Sequence, residues 1–175
     1  RITVGTLAGA ALLAVTMLPT AEAKTSRSAR NPVVAAAKVS KSDQQWQALL
    51  TAEQYKVLRQ SGTERAYENR YHDHRANGTY ACVGCGNRLF LSSAKFDSGT
   101  GWPSFFQAID RAAVKERRDN TLFRKRIEVV CSRCDGHLGH VFEDGPQPTG
   151  RRYCVNSAAM TFFPASPTQT KKETD

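Results

Sequence analysis

The chain has 175 residues, 40% of them hydrophobic and 23% charged, with a formal net charge of +9. A chain of this length removes roughly two-thirds of its unfolded surface from water on folding, so one globular domain is expected. The charge does not mark a nucleic-acid binder. Lys24, Arg27, Arg30, Lys38 and Lys41 lie in a Ser/Ala/Lys stretch without apolar period, and the cluster from Arg111 through Lys115, Arg117, Arg118, Arg124 and Lys125 to Arg126 is broken by Asp110, Glu116 and Asp119. Few aromatics lie within it to stack bases, so a solvated basic face is expected and no nucleic-acid partner.

Residues 4–18 form an uncharged Ala/Leu/Val/Gly run, followed by Ala21-Glu22-Ala23, where small residues offer a signal-peptidase cut before Lys24. The run is shorter than the ~20 apolar residues of a membrane-spanning helix. Residues 1–23 are therefore expected to be a cleaved export signal with a truncated start, leaving no stable membrane insertion and delivering the protein to a bacterial periplasm. Residues 24–41 read as a basic disordered linker, 42–165 as the folded domain and 166–175 as a polar disordered tail.

Within 42–60, Trp46, Leu49 and Leu50 share a face and Thr51 with Gln54 makes a capping box, which predicts one or two short helices; Tyr55 and Leu58 continue the apolar side. Gly62 is the expected helix stop. After the turn dipeptide Asn77-Gly78 the character changes to short β-branched and aromatic runs punctuated by glycine, which predicts strands at 79–82, 88–91, 126–131, 140–142, 153–156 and 160–163. The sum is a small antiparallel β domain with a helical preface.

Four of the five cysteines form two Cys-x-x-Cys knuckles, Cys82/Cys85 and Cys131/Cys134. Each such turn aims two sulfurs at one point, and two together make the tetrahedral four-sulfur shell that zinc takes in structural sites. The wide interval between the pairs predicts a staple between distant hairpins rather than a finger. Two other readings stand beside this one. Disulfides suit an oxidising compartment. A Cys₂His₂ set of Cys131, Cys134, His137 and His140 would strand Cys82 and Cys85 and has too short a Cys-to-His interval. Haem attachment is excluded because neither pair is followed by His.

The fifth cysteine, Cys154, stands between Arg152 and Asn156, and in a strand all three face one way. The cation is expected to hold the thiol below its ordinary value of about 8.5. A buried, inert cysteine is the alternative. Gly99-Thr100-Gly101-Trp102-Pro103 is a hinged loop presenting a Trp, and His137-Leu138-Gly139-His140 sets two imidazoles in a loop after the second knuckle. Together with Cys154 they supply a nucleophile, a proton donor and an aromatic wall.

The blocks Gly62-Thr63-Glu64-Arg65, Lys95-Phe96-Asp97-Ser98-Gly99, Gly101-Trp102-Pro103-Ser104-Phe105, His137-Leu138-Gly139-His140-Val141-Phe142 and Arg152-Tyr153-Cys154-Val155-Asn156-Ser157, in this order, resemble the signature of the type B peptide-methionine (R)-S-oxide reductases. The resemblance implies a mainly β fold: two antiparallel sheets forming a small barrel or tent-like domain with short N-terminal helices. It also implies one structural Zn²⁺ on Cys82, Cys85, Cys131 and Cys134, and reduction of the R-epimer of methionine sulfoxide in oxidised proteins. Cys154 would be the nucleophile, Trp102 and Phe142 would contact substrate, and His137, His140, Arg152 and Asn156 would surround the reacting atoms. A thiolate attacking a sulfoxide sulfur needs an acid for the oxygen, and His137 is the first choice. The product on the enzyme is a Cys154 sulfenic acid.

One position departs from a common family pattern: many members carry a resolving cysteine where this chain has Thr100. A one-cysteine enzyme recycled by an external thiol, such as a thioredoxin-like donor, is expected, acting as a monomer. A non-enzymatic zinc module with a basic partner-binding face would explain the knuckles and the charge, but not Cys154, Trp102 and the two histidines.

Overall fold

The computed structural model describes residues 37–119 and 126–166. The expected signal segment, most of the linker and the tail from residue 167 lie outside the described residues.

Two helices open the fold, α1 (Asp43–Leu49) and α2 (Ala52–Gln60). Each begins with a capping box: Ser42 and Gln45 exchange hydrogen bonds at 2.9 and 3.3 Å, and Thr51 and Gln54 do the same at 2.9 and 3.3 Å. The second box is the one the sequence predicts; the first shows that the run is two helices, broken where Leu50 turns extended. The stop differs from expectation by one residue. Ser61 takes the left-handed conformation (φ 52°), while Gly62 is needed for close approach, since a Cβ there would lie 2.9 Å from the Lys56 carbonyl oxygen.

The strands are β1 (Gly78–Cys82), β2 (Arg88–Leu91), β3 (Lys95–Phe96), β4 (Ser104–Phe105), β5 (Val114–Asp119), β6 (Arg126–Cys131), β7 (His137–Phe142), β8 (Arg152–Val155) and β9 (Met160–Pro164). They form two antiparallel sheets, one ordered β2-β1-β9 and the other β3-β4-β8-β7-β6-β5. The chain is thus mainly β, as the sequence predicts. Asn77-Gly78 is not a hairpin turn: Gly78 opens β1 opposite Pro164, and a Cβ on it would meet the Phe163 carbonyl oxygen at 2.2 Å.

The core lies between the sheets. Tyr80 and Phe90 from the smaller sheet meet Phe105 and Tyr153 from the larger, with Phe90 stacked on Phe105 at 4.4 Å between ring centroids. Val129, Leu138 and Val155 fill the same layer and are fully buried. Inward residues from both sheets thereby leave the opposite face of the larger sheet free for the polar groups of Glu128, His140 and Cys154.

Candidate active site and metal centre

The two knuckles fold alike. In the first, Gly86 N donates to Cys82 O (2.8 Å) and Cys82 N to Asn87 O (2.8 Å); in the second, Asp135 N donates to Cys131 O (2.9 Å) and Cys131 N to Gly136 O (2.9 Å). The residue after each second cysteine, Gly86 or Asp135, has φ of 69° or 55°. The first knuckle closes the β1–β2 hairpin of the small sheet and the second closes β6–β7 of the large one. Leu58 of α2 packs on both: a Cβ on Gly84 would come within 2.7 Å of its side chain and one on Gly136 within 2.6 Å.

This packing brings the Sγ atoms of Cys82, Cys85, Cys131 and Cys134 within 4.8 Å of one another. Cys82 and Cys134 stand 3.6 Å apart and Cys85 and Cys131 3.5 Å, far beyond a disulfide bond of about 2.05 Å. A tetrahedral ion with metal–sulfur bonds of about 2.3 Å needs sulfurs ~3.8 Å apart, so the four thiols fit one metal ion. Asn87 Nδ2 lies 3.6 Å from Cys131 Sγ, placed to donate to a thiolate. The Cys₂His₂ alternative is not formed, because His137 and His140 each bond a carboxylate instead.

The fifth cysteine sits on a row that crosses the large sheet. Register pairs Glu128 of β6 with His140 of β7, His140 with Cys154 of β8, and Cys154 with Ser104 of β4. His137 would point away from His140 in a regular strand, being an odd number of residues from it. A bulge resolves this: Val129 pairs with Gly139 and Val130 with His137, so Leu138 is an extra residue and both imidazoles reach one face, 5.5 Å apart. The segment read as a loop is therefore a strand. Gly139 is required there, since a Cβ would lie 2.0 Å from the Cys154 carbonyl oxygen.

A cavity of about 140 Å³ opens over this row, walled by Trp102 and Phe142 and lined also by Thr63, Arg126, His140, Cys154 and Asn156. His137 is off its wall. It is only 4% exposed; its Nδ1 donates to Glu128 Oε1 at 2.7 Å, and its Nε2 is buried without a partner. Burial, more than Glu128 offsets, holds its pKa below the ordinary histidine value. His140 Nε2 bonds Asp119 Oδ2 at 2.9 Å, and Arg126 Nη2 shares the same oxygen at 3.0 Å.

The remaining expected residues are braced rather than free. Arg152, 8% exposed, makes a two-point pair with Asp144 (2.8 and 2.7 Å) and lies 4.4 Å over the Phe142 ring. Asn156, 4% exposed, donates through Nδ2 to the Leu138 carbonyl at the bulge (3.0 Å) and accepts from Glu64 N (3.2 Å). The thiol itself departs from expectation. Burial pushes the Cys154 pKa up, and this outweighs Arg152 and the Thr100 hydroxyl, which act in the opposite direction.

Glu64 was not singled out by sequence reasoning, although it lies in a signature block. Its carbonyl accepts from Trp102 Nε1 (3.1 Å), its N–H holds Asn156, and its carboxylate accepts from Ser157 N and Ala158 N, the latter at 2.8 Å. Burial raises its pKa against those hydrogen bonds. Asp119, Glu128 and Asp144 were also missed as partners, because only the register of the sheet brings them to the site.

The SelR domain matches residues 50–164, which span α2 through β9 and contain all five cysteines. A protein of Thiobacillus denitrificans called peptide methionine sulfoxide reductase MsrB is 60% identical over 124 residues, 71% of this chain and 94% of its own length. The chain belongs to the MsrB family. Other MsrB proteins match at similar levels: one of Bradyrhizobium diazoefficiens is 58% identical over 128 residues (73% of this chain, 91% of its own), and one of Methanosarcina mazei 53% over 136 (78% and 97%). The MsrB match thus takes in both the metal centre and the Cys154 pocket.

Proposed function

We propose that this chain reduces protein-bound methionine (R)-S-oxide to methionine, with Cys154 as nucleophile. The observation that carries the reading is a reachable thiol at the floor of an aromatic-walled pocket, beside an imidazole, in a chain of this family. Trp102 and Phe142 take the sulfoxide methyl, which turns the oxygen toward His140. His140 serves as proton donor in place of His137, because it lines the cavity. Asp119 accepts from its Nε2 and so directs the exchangeable position to Nδ1.

Cys154 sulfur attacks, the substrate S–O bond breaks, and a new S–O bond forms on Cys154. The proton on the sulfenic acid comes from His140, which is restored by the proton the thiol releases; Cys154 is oxidised by two electrons and the substrate sulfur is reduced by two. One external thiol then condenses with the sulfenic acid, releasing water, and a second reduces the mixed disulfide. Four of the five cysteines are grouped at the metal centre and Thr100 occupies the position where many relatives of this pattern carry a resolving cysteine, which supports recycling by an external, thioredoxin-like donor. Zinc is the ion that four thiolates of this spacing suit, and it would hold the hairpins together without taking part in the reaction.

The apolar run at 4–18 supports export to a periplasm. Among the described residues no helix is long and apolar enough to cross a membrane. Peptides carrying each sulfoxide epimer, supplied with dithiothreitol, test the central reading: only the R form should yield methionine, and Cys154→Ser should abolish it. Turnover of the S form, or activity surviving in C154S, would overturn the assignment.

A further inference from the structure

The pocket has an apolar side, made by Trp102 and Phe142, and a polar side, made by Thr63, Arg126, His140, Cys154 and Asn156. The guanidinium on the cavity wall is that of Arg126. Arg152, expected there from the sequence, does not line the cavity and is held by its two bonds to Asp144 and by the Phe142 ring.

Arg126 opens β6 two residues before Glu128, so the two share a face of the sheet, the face on which Glu128 pairs with His140 and His140 with Cys154. Across the β5–β6 ladder it pairs with Asp119. Asp119 Oδ2 accepts from Arg126 Nη2 at 3.0 Å and from His140 Nε2 at 2.9 Å. One carboxylate oxygen thus sets the guanidinium and the imidazole side by side.

A guanidinium carries five N–H groups, and the bond to Asp119 is the side-chain bond that Arg126 makes to the described residues. Its Nε is buried without a partner. A buried donor without an acceptor costs stability, so the hydrogen bonding of Arg126 in the free protein does not account for its placement. The side chain is 33% exposed, which leaves its outer N–H groups within reach of a molecule that enters the cavity.

We propose that Arg126 is a substrate-binding residue that donates to the sulfoxide oxygen, beside His140. The inference rests on the reductase reading of this pocket and deepens it. With the substrate methyl against Trp102 and Phe142, the oxygen lies on the polar side, where these two donors stand. The S–O bond places negative charge on that oxygen, which makes it a strong acceptor for a charged donor, whereas a thioether sulfur accepts weakly. A guanidinium is a permanent cation and can hold the oxygen without giving up a proton; an imidazolium can give its proton away. The neighbours therefore divide the work, Arg126 binding the oxygen and His140 supplying the proton. The methionine product has no oxygen, so the contact also separates substrate from product.

The test is calorimetric titration of zinc-loaded C154S protein, which binds without turnover, with a peptide carrying methionine (R)-S-oxide and with the same peptide carrying methionine. Adding Arg126→Gln should raise the Kd for the sulfoxide by about 10–100-fold, the range of one hydrogen bond to a charged group, and leave the Kd for the methionine peptide unchanged. Equal weakening of both peptides marks a structural role and overturns the contact, as does no change in either. Because Arg126 and His140 share Asp119, the comparison is repeated with His140→Asn: the sulfoxide-specific loss should persist, and its disappearance would show that Arg126 acts only through the imidazole and overturn the contact. Arg126→Met, of similar length and without a donor, replaces R126Q should the latter not fold. C154S protein that binds neither peptide overturns the reductase reading and the contact with it, whereas binding that ignores Arg126 overturns the contact alone.

Discussion

Glu64 joins three parts of the pocket through one residue: the indole of Trp102, the amide of Asn156, and the two N–H groups that follow β8. Glu64→Gln leaves one acceptor oxygen and sets an NH₂ against a backbone N–H. A buried donor without a partner costs about 1–3 kcal/mol. E64Q should lose that much stability in urea titrations, and its KM should rise as the Trp102 wall loosens. The two histidines separate by position. His140→Asn should lower kcat by ~10²–10⁴, the range of a lost general acid, whereas His137→Asn should lower it much less, in steady-state assays of the R-sulfoxide peptide. His137 has a different consequence. Burial depresses its pKa, so the unfolded chain binds the proton more readily, and its contribution to stability is present in full above about pH 6.5 and declines as the pH falls toward the folded value. The urea midpoint should therefore drop between ~pH 7 and ~pH 5.5, and by less in H137N.

At the scale of the elements, the β7 bulge sets the site. Gly139→Ala would place a methyl 2.0 Å from the Cys154 carbonyl oxygen, so the β7–β8 pairing must open. Activity should be lost, with a far larger fall in melting temperature than in Thr51→Ala, where a lost cap costs about 1 kcal/mol. The capping box at Thr51, the alternation of Arg152 and Cys154 and the doubled Cys-x-x-Cys were legible because each is a local pattern with a local cause. Residues 137–139 read as a loop because Gly136 precedes them, Gly139 is one of them and a bulge breaks the period of two on which strand reading rests. β5 was read as a basic surface for a related reason. It is an edge strand with one partner, β6, and Lys115, Glu116, Arg117 and Arg118 are all exposed, so no apolar alternation marks it. The raised thiol pKa was illegible on other grounds. Arg152 is two residues away in sequence, whereas Thr63, Trp102 and Phe142, which line the same cavity as Cys154, converge from three separate segments.

For the molecule as a whole, the four-sulfur centre joins the hairpin of one sheet to the hairpin of the other, with Leu58 over both knuckles. Structural zinc sites contribute apparent binding energies of about 10–16 kcal/mol, comparable to or larger than the stability of a domain. Withdrawing the ion with a strong chelator should therefore unfold the domain cooperatively at lower temperature, and atomic absorption before treatment should find one zinc per chain. The start of the domain is tied to the same corner. Val39 N donates to Arg133 O (2.9 Å), Arg133 Nε donates to Ala37 O (2.9 Å), and Lys38, Lys115 and Arg117 gather on Asp135, so the segment expected as linker meets the second knuckle by Ala37. At the Cys154 pocket, β8 is hydrogen-bonded to β4 on one side and β7 on the other. A sulfur carried on a strand clamped along both edges cannot swing out to meet a reductant. The thiol that regenerates Cys154 under the proposed function has to come to the sulfur through the cavity walled by Trp102 and Phe142.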